Sequence, residues 1–123
     1  MLLFRYREVK RGLRELEAVK DDRRATLALL AKARADDAPP DLRMLIVQKL
    51  GNHAGAETIE VLSDVLKNEP HWRVRAAATV ALGNIHDPRA RELLDEAAKS
   101  DRHRRVRENA RFNRDNPMAF PRL

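Results

Sequence analysis

The sequence predicts an all-α protein built of stacked helical hairpins, about six to seven helices in all. Three observations predict it. The chain repeats itself every 32 residues, the apolar residues of each copy recur at three- and four-residue steps, and only five of 123 residues are aromatic. Ala, Leu, Arg and Asp dominate instead, a composition that favours helix over sheet.

Shifting the sequence by 32 places puts Leu50-Gly51-Asn52 onto Leu82-Gly83-Asn84, Arg43 onto Arg75, Leu62 onto Leu94 and Lys67 onto Lys99. The same shift carries Val74-Arg75 onto Val106-Arg107, Ala78 onto Ala110 and His71 onto His103. Two repeats are clear, over 41–69 and 70–101, and a third begins at 102. In the best copy Val74, Ala77, Ala78, Ala81, Leu82 and Ile85 line one helix face. Gly83 is expected just past the end of that helix, in the left-handed conformation glycine adopts cheaply. Asp87-Pro88 then supplies an N-cap and a first-turn proline for a second helix carrying Ala90, Leu93, Leu94, Ala97 and Ala98. The small residues of the first helix let its neighbours approach closely. The preceding copy follows Pro39-Pro40, with Asp41 as the expected N-cap, Leu42, Leu45, Ile46 and Leu50 inward, and Ile59, Leu62 and Leu66 on its second helix.

Residues 70–101, from Pro70-His71-Trp72-Arg73-Val74-Arg75 through Ala81-Leu82-Gly83-Asn84-Ile85-His86-Asp87-Pro88 to Leu93-Leu94 and Ser100-Asp101, resemble the HEAT-like repeat of the phycobilin lyase type. The resemblance extends less strongly over 41–69. It implies a short right-handed α-solenoid, in a family that includes scaffolds, chromophore lyases, metal-dependent hydroxylases and DNA-binding glycosylases. Repeat type therefore names a fold and leaves the function open.

At the N-terminus, Leu2, Tyr6, Val9, Leu13 and Leu16 form an apolar stripe that predicts one helix over 2–19. Asp21-Asp22 caps a second over 22–35 with Ala25, Leu27, Leu30 and Ala33. This pair, 1–38, reads as a hairpin capping the stack. Downstream, 102–114 begins a repeat in which Arg114 replaces Leu82, so the single solenoid spans 1–114 with its last repeat incomplete. Its end is expected to expose Val106 and Phe112. Asn116-Pro117 stops the helix, and 115–123 reads as an extended tail whose Phe120 is a candidate docking residue.

Several chemistries are excluded. With no cysteine there is neither a disulfide nor a thiolate metal site. No histidine pair has the spacing of helical metal ligands. The hydroxylases similar to this fold use His-Glu dipeptides, whereas His53, His71, His86 and His103 precede Ala54, Trp72, Asp87 and Arg104. Neither Ser63 nor Ser100 sits in a glycine-rich elbow, and no phosphate loop exists. The reading is a non-enzyme without cofactor. Charge breaks up Met1-Leu2-Leu3-Phe4 before a signal-peptide core can form, and no run has the length of a membrane span, so a cytoplasmic location is expected.

The net charge of +6 resides at the two ends: residues 1–24 carry +3 and residues 102–123 carry +5. Arg102, Arg104, Arg105, Arg107, Arg111 and Arg114 cluster, and Arg104, Arg107, Arg111 and Arg114 align into one basic ridge on a helix. Of the arginines repeated once per copy, Arg43 and Arg75 are read as structural staples, leaving Arg107 free. Trp72 beside Arg73 either packs over the neighbouring hairpin junction or stands as an exposed anchor. These residues together predict a protein-binding adaptor or accessory subunit, using a concave helical face and a basic arm against an acidic protein surface. The alternative is a nucleic-acid-binding protein that uses the same ridge on phosphates, with few aromatics for base stacking.

Overall fold

Caps and prolines set where each helix begins. The computed structural model describes residues 2–117, and the described residues form seven α-helices and no strand. They are α1 (Leu2–Ala18), α2 (Arg23–Ala35), α3 (Pro40–Leu50), α4 (Ala56–Asn68), α5 (Trp72–Gly83), α6 (Pro88–Ser100) and α7 (Arg104–Asp115). Asp22 and Asp87 accept from the backbone N–H of Ala25 at 2.9 Å and of Arg89 at 2.8 Å, as N-caps should. His71 and His103 cap α5 and α7 through Nδ1, which accepts from Arg73 N at 3.1 Å and Arg105 N at 3.0 Å. The expected cap of α3 is displaced: Pro39 is the N-cap, Pro40 occupies the first turn, and Asp41 lies inside the helix. There its carboxylate still meets the positive end of the helix dipole.

Helices α3, α5 and α7 are the first helices of successive hairpins and pack directly on one another, while α2, α4 and α6 form the second layer. The core between the layers is continuous from Leu30 through Ile46, Leu50, Leu62, Val74 and Leu82 to Leu94 and Ala110. Close approach of the first helices explains the repeated glycine. A β-carbon on Gly51 would stand 3.0 Å from the Cα of Ala81, and one on Gly83 3.1 Å from the Cβ of Asn113, 32 residues further along. Gly83 is thus the last residue of α5, and Asn84 is a right-handed C-cap. The left-handed conformation expected of Gly83 is absent because the neighbouring helix, not a turn, requires a missing side chain.

Register extends into the N-terminal hairpin. Thr26, Thr58 and Ala90, then Leu30, Leu62 and Leu94, then Ala33, Val65 and Ala97 occupy equivalent buried positions of α2, α4 and α6. Helix α1 is another matter. Its only buried described residue is Gly12, which lies against the methyl groups of Leu42, while Tyr6 and Leu13 of the expected inward stripe are exposed. Packing is fixed by this small-residue contact, and the apolar stripe is only partly engaged. Leu45 likewise points outward from α3, and Val47 takes the buried place.

A ladder of buried charges links the hairpins. Arg43 donates to Glu69 Oε1 from Nε at 3.1 Å and Nη2 at 2.7 Å, and also to the carbonyl of Ala38. Arg75 grips Asp101 at 3.1 and 3.2 Å, and its Nη1 reaches the carbonyls of Glu69 at 3.0 Å and Pro70 at 3.1 Å. Arg107 donates to the carbonyl of Asp101 at 2.7 Å. The carbonyl contacts of each rung join a first helix to the segment after the preceding second helix, and the carboxylates of Glu69 and Asp101 join α3 and α5 to the segment after the following one. Exposed pairs tie the second layer together, Arg34 to Asp64 at 2.6 Å and Arg89 to Glu60 among them.

Candidate partner-binding surface

The repeated N-cap histidines place their rings at one edge of the first-helix layer, and Trp72, the first residue of α5, lies between them. Its indole stacks on His103 with centroids 4.4 Å apart and planes 9° apart, and its centroid is 6.4 Å from that of His71. The guanidinium of Arg73 sits 5.4 Å from the indole centroid. Trp72 is half-buried, so it both packs across the hairpin junction and keeps an exposed part. The two readings of the sequence each describe one side of it.

From this edge an apolar surface runs across α3, α5 and α7. Val80 and Phe112 occupy the same repeat position and are 37% and 64% exposed. Met44 and Gln48 of α3 and Asn109 of α7 join Trp72, Arg73 and Val80 around an open depression of about 290 Å³. Arg105 repeats the position of Arg73. Arg105 has no partner for its guanidinium among the described residues, and Arg111 makes no hydrogen bond or close ion pair there, its charge being felt by Asp115. The surface thus combines exposed apolar side chains with unpaired positive charge at its rim. Val80 and Met44 were not singled out from the sequence, although the 32-residue shift of Val80 onto Phe112 was available there, and Leu45 was expected inward but is exposed.

The basic ridge is more broken than its spacing suggests. Arg114 pairs with Asp95 and Asp115, each at 2.9 Å, and Arg104 Nε donates to Glu108 at 2.8 Å. The hydrogen bond from Lys99, then that from Arg114, holds the Asp95 carboxyl below its ordinary range, and Arg114 does the same for Asp115. The Arg114 pKa is raised in turn by Asp115 and Asp95. Arg102 reaches the carbonyl of Glu69 at 3.4 Å, and Arg107 is bound to a carbonyl rather than free as expected. Val106, expected on the exposed end, is fully buried. Phe120 lies outside the described residues. Among the described residues no group of three or more His, Asp or Glu side chains is placed to hold a metal ion, and no helix is long and apolar enough to cross a membrane.

The two helical layers, the buried arginine rungs and the 32-residue register define a helical-repeat protein. The family model for HEAT repeats matches residues 26–113, and the chain belongs to that family. No curated protein and no solved structure matches it significantly. HEAT repeats commonly mediate protein–protein interaction and are generally a non-catalytic scaffold type.

Proposed function

We propose that this protein is a non-catalytic interaction module, an adaptor or accessory subunit, that binds a partner protein on the face formed by α3, α5 and α7. A cytoplasmic location fits this reading. The observation that carries it is the apolar surface of Met44, Val80 and Phe112, bordered by Trp72 and by the arginines at 73 and 105. Burial of an exposed Val or Phe is worth about 1.5–3 kcal/mol, so these side chains supply a hydrophobic centre. Trp and Arg at its rim are the residue types that dominate interface energetics. The unpaired arginines favour a partner with carboxylates around an apolar patch. A nucleic-acid reading draws on the pI of about 10.3 and on Arg105 and Arg111, but Arg104 and Arg114 are occupied by carboxylates of this chain.

The test is tagged capture from the native host, with and without nuclease, comparing the full chain with the variant Val80→Glu/Phe112→Ser. Both sites are exposed, so the variant folds. Ending the chain at Asp101 would not serve, because α7 buries Val106 and Ala110 against the core. A stoichiometric protein partner that resists nuclease and is lost with the variant supports the proposal. Recovery of nucleic acid alone, or release of everything by nuclease, sinks it.

A further inference from the structure

We propose that Arg107 is an open receptor for a carboxylate of a partner protein, at the end of the stack. This rests on the reading of the chain as a protein-binding module but concerns a different surface. Each inner rung of the ladder has two halves. Arg43 and Arg75 both bind a main-chain carbonyl five residues upstream, and both bind a carboxylate 26 residues downstream, Glu69 and Asp101. Arg107 has the first half only. Its Nη1 is anchored on the carbonyl of Asp101 at 2.7 Å, six residues upstream, just as Arg75 is anchored on the carbonyl of Glu69. No carboxylate pairs with it among the described residues.

The nearest candidates on its own helix are taken, Glu108 by Arg104 and Asp115 by Arg114. A half-buried guanidinium is thereby held in place, partly desolvated, with its positive charge unanswered. Arg111, one turn further, makes no hydrogen bond or close ion pair among the described residues, Asp115 being held by Arg114, and residues four apart on a helix are about 5–6 Å from each other. The end of the stack therefore presents two arginines with one-turn spacing. The chemistry favoured at this position is a carboxylate, since the protein itself fills the equivalent place twice with one. Arg75 and Asp101 show the fork geometry, in which Nε and Nη2 meet the two oxygens at 3.1 and 3.2 Å. The occupant is an acidic segment of a partner protein carrying two carboxylates one helical turn apart.

The experiment follows the arginine Nε–Hε resonances of the 15N-labelled full chain. The probe is a helical peptide with glutamates four residues apart, compared with its glutamine version and with a short DNA duplex. The glutamate peptide is expected to shift Arg107 and Arg111 saturably, and the glutamine peptide to leave them unmoved. Arg107→Lys keeps the charge but loses the fork, and is expected to weaken binding about tenfold. The exposed Arg111→Gln should weaken it several-fold with no effect on folding. No shift at Arg107 at millimolar peptide, or equal binding by Arg107→Lys, overturns the proposal. Equal Arg107-dependent binding of the duplex overturns it in favour of a phosphate site. Shifts confined to the Trp72 indole and Val80 backbone N–H signals of the same 15N spectra would sink the receptor and leave the protein-binding reading standing, whereas binding of the duplex alone would sink both.

Discussion

Removing the central rung of the ladder should cost this protein a large share of its stability. In Arg75→Met the aliphatic stem is kept, so no large cavity opens, but the guanidinium and its bonds to Asp101, Glu69 and Pro70 are lost. The Asp101 side chain, only 6% exposed, then remains as a buried charge compensated by the N–H of His103 at 2.9 Å. Breaking a buried pair from one side costs about 3–5 kcal/mol, against a total stability of about 5–15 kcal/mol for a domain of this size. Urea unfolding followed by circular dichroism should show that loss, with the melting temperature falling by about 10 °C or more. The double variant Arg75→Met/Asp101→Asn removes the stranded charge and keeps an oxygen to cap His103. It should recover at least about 1 kcal/mol relative to the single variant. A single-variant loss below about 1 kcal/mol, or a double variant no better than the single, would refute the assignment of the ladder as a buried tie between hairpins.

Other expectations follow from the same structure. Gly51→Ala places a methyl group 3.0 Å from the Cα of Ala81, so it should destabilise by about 1–3 kcal/mol in chemical denaturation. Gly83→Ala meets the Cβ of Asn113 at 3.1 Å, an atom fixed to the α7 backbone, and should cost a similar amount. The Oγ1 of Thr58 is buried without a hydrogen-bond partner, whereas that of Thr26 donates to the carbonyl of Asp22 at 2.7 Å. Thr58→Val should therefore be neutral or stabilising by about 1 kcal/mol, and Thr26→Val destabilising, in parallel melts. The Arg34 hydrogen bond, with that of Asn68, lowers the pKa of Asp64 from 3.8, and Asp95 and Asp115 are lowered from the same value. A folded-state pKa below the unfolded one gives stability that is present above 3.8 and lost as pH falls through the folded value. Unfolding free energy measured from pH 7 downward should accordingly hold level to about pH 5 and then decline, and a rise on acidification would contradict the pairings.

How much of this was legible depends on whether the signal was local. The Asp87-Pro88 start of α6 and the apolar face of α5 were readable because cap chemistry and helical period act within a few residues. Gly83 was misplaced because its cause lies in Asn113 of another helix. The α1 stripe measures amphipathicity, not the presence of a neighbour, and the neighbour engages Gly12 instead of Tyr6 and Leu13. In α2 the repeat register was hidden because few positions keep the identity of their α4 equivalents: Thr26 and Leu30 match Thr58 and Leu62, but Ala33 stands where Val65 does and is matched by burial alone. The basic ridge failed for a related reason: Asp95, which neutralises part of Arg114, is 19 residues away on α6 and enters no helical spacing rule. Trp72 and Arg73 could be nominated from residue type alone, but the surface they border needed Met44 and Val80 from two different helices.

The central claim is that a partner protein covers the first-helix face. Trp72 is the single tryptophan of the chain and stands at the edge of that face. The most direct measurement is 19F NMR of the full chain carrying 5-fluorotryptophan, with and without the unlabelled partner recovered by capture. The account predicts one resonance that shifts and broadens at saturation, with both effects lost in Val80→Glu/Phe112→Ser. A partner shown by sedimentation to be bound while the Trp72 resonance stays unchanged would contradict it, and would move the interface to another side of the stack.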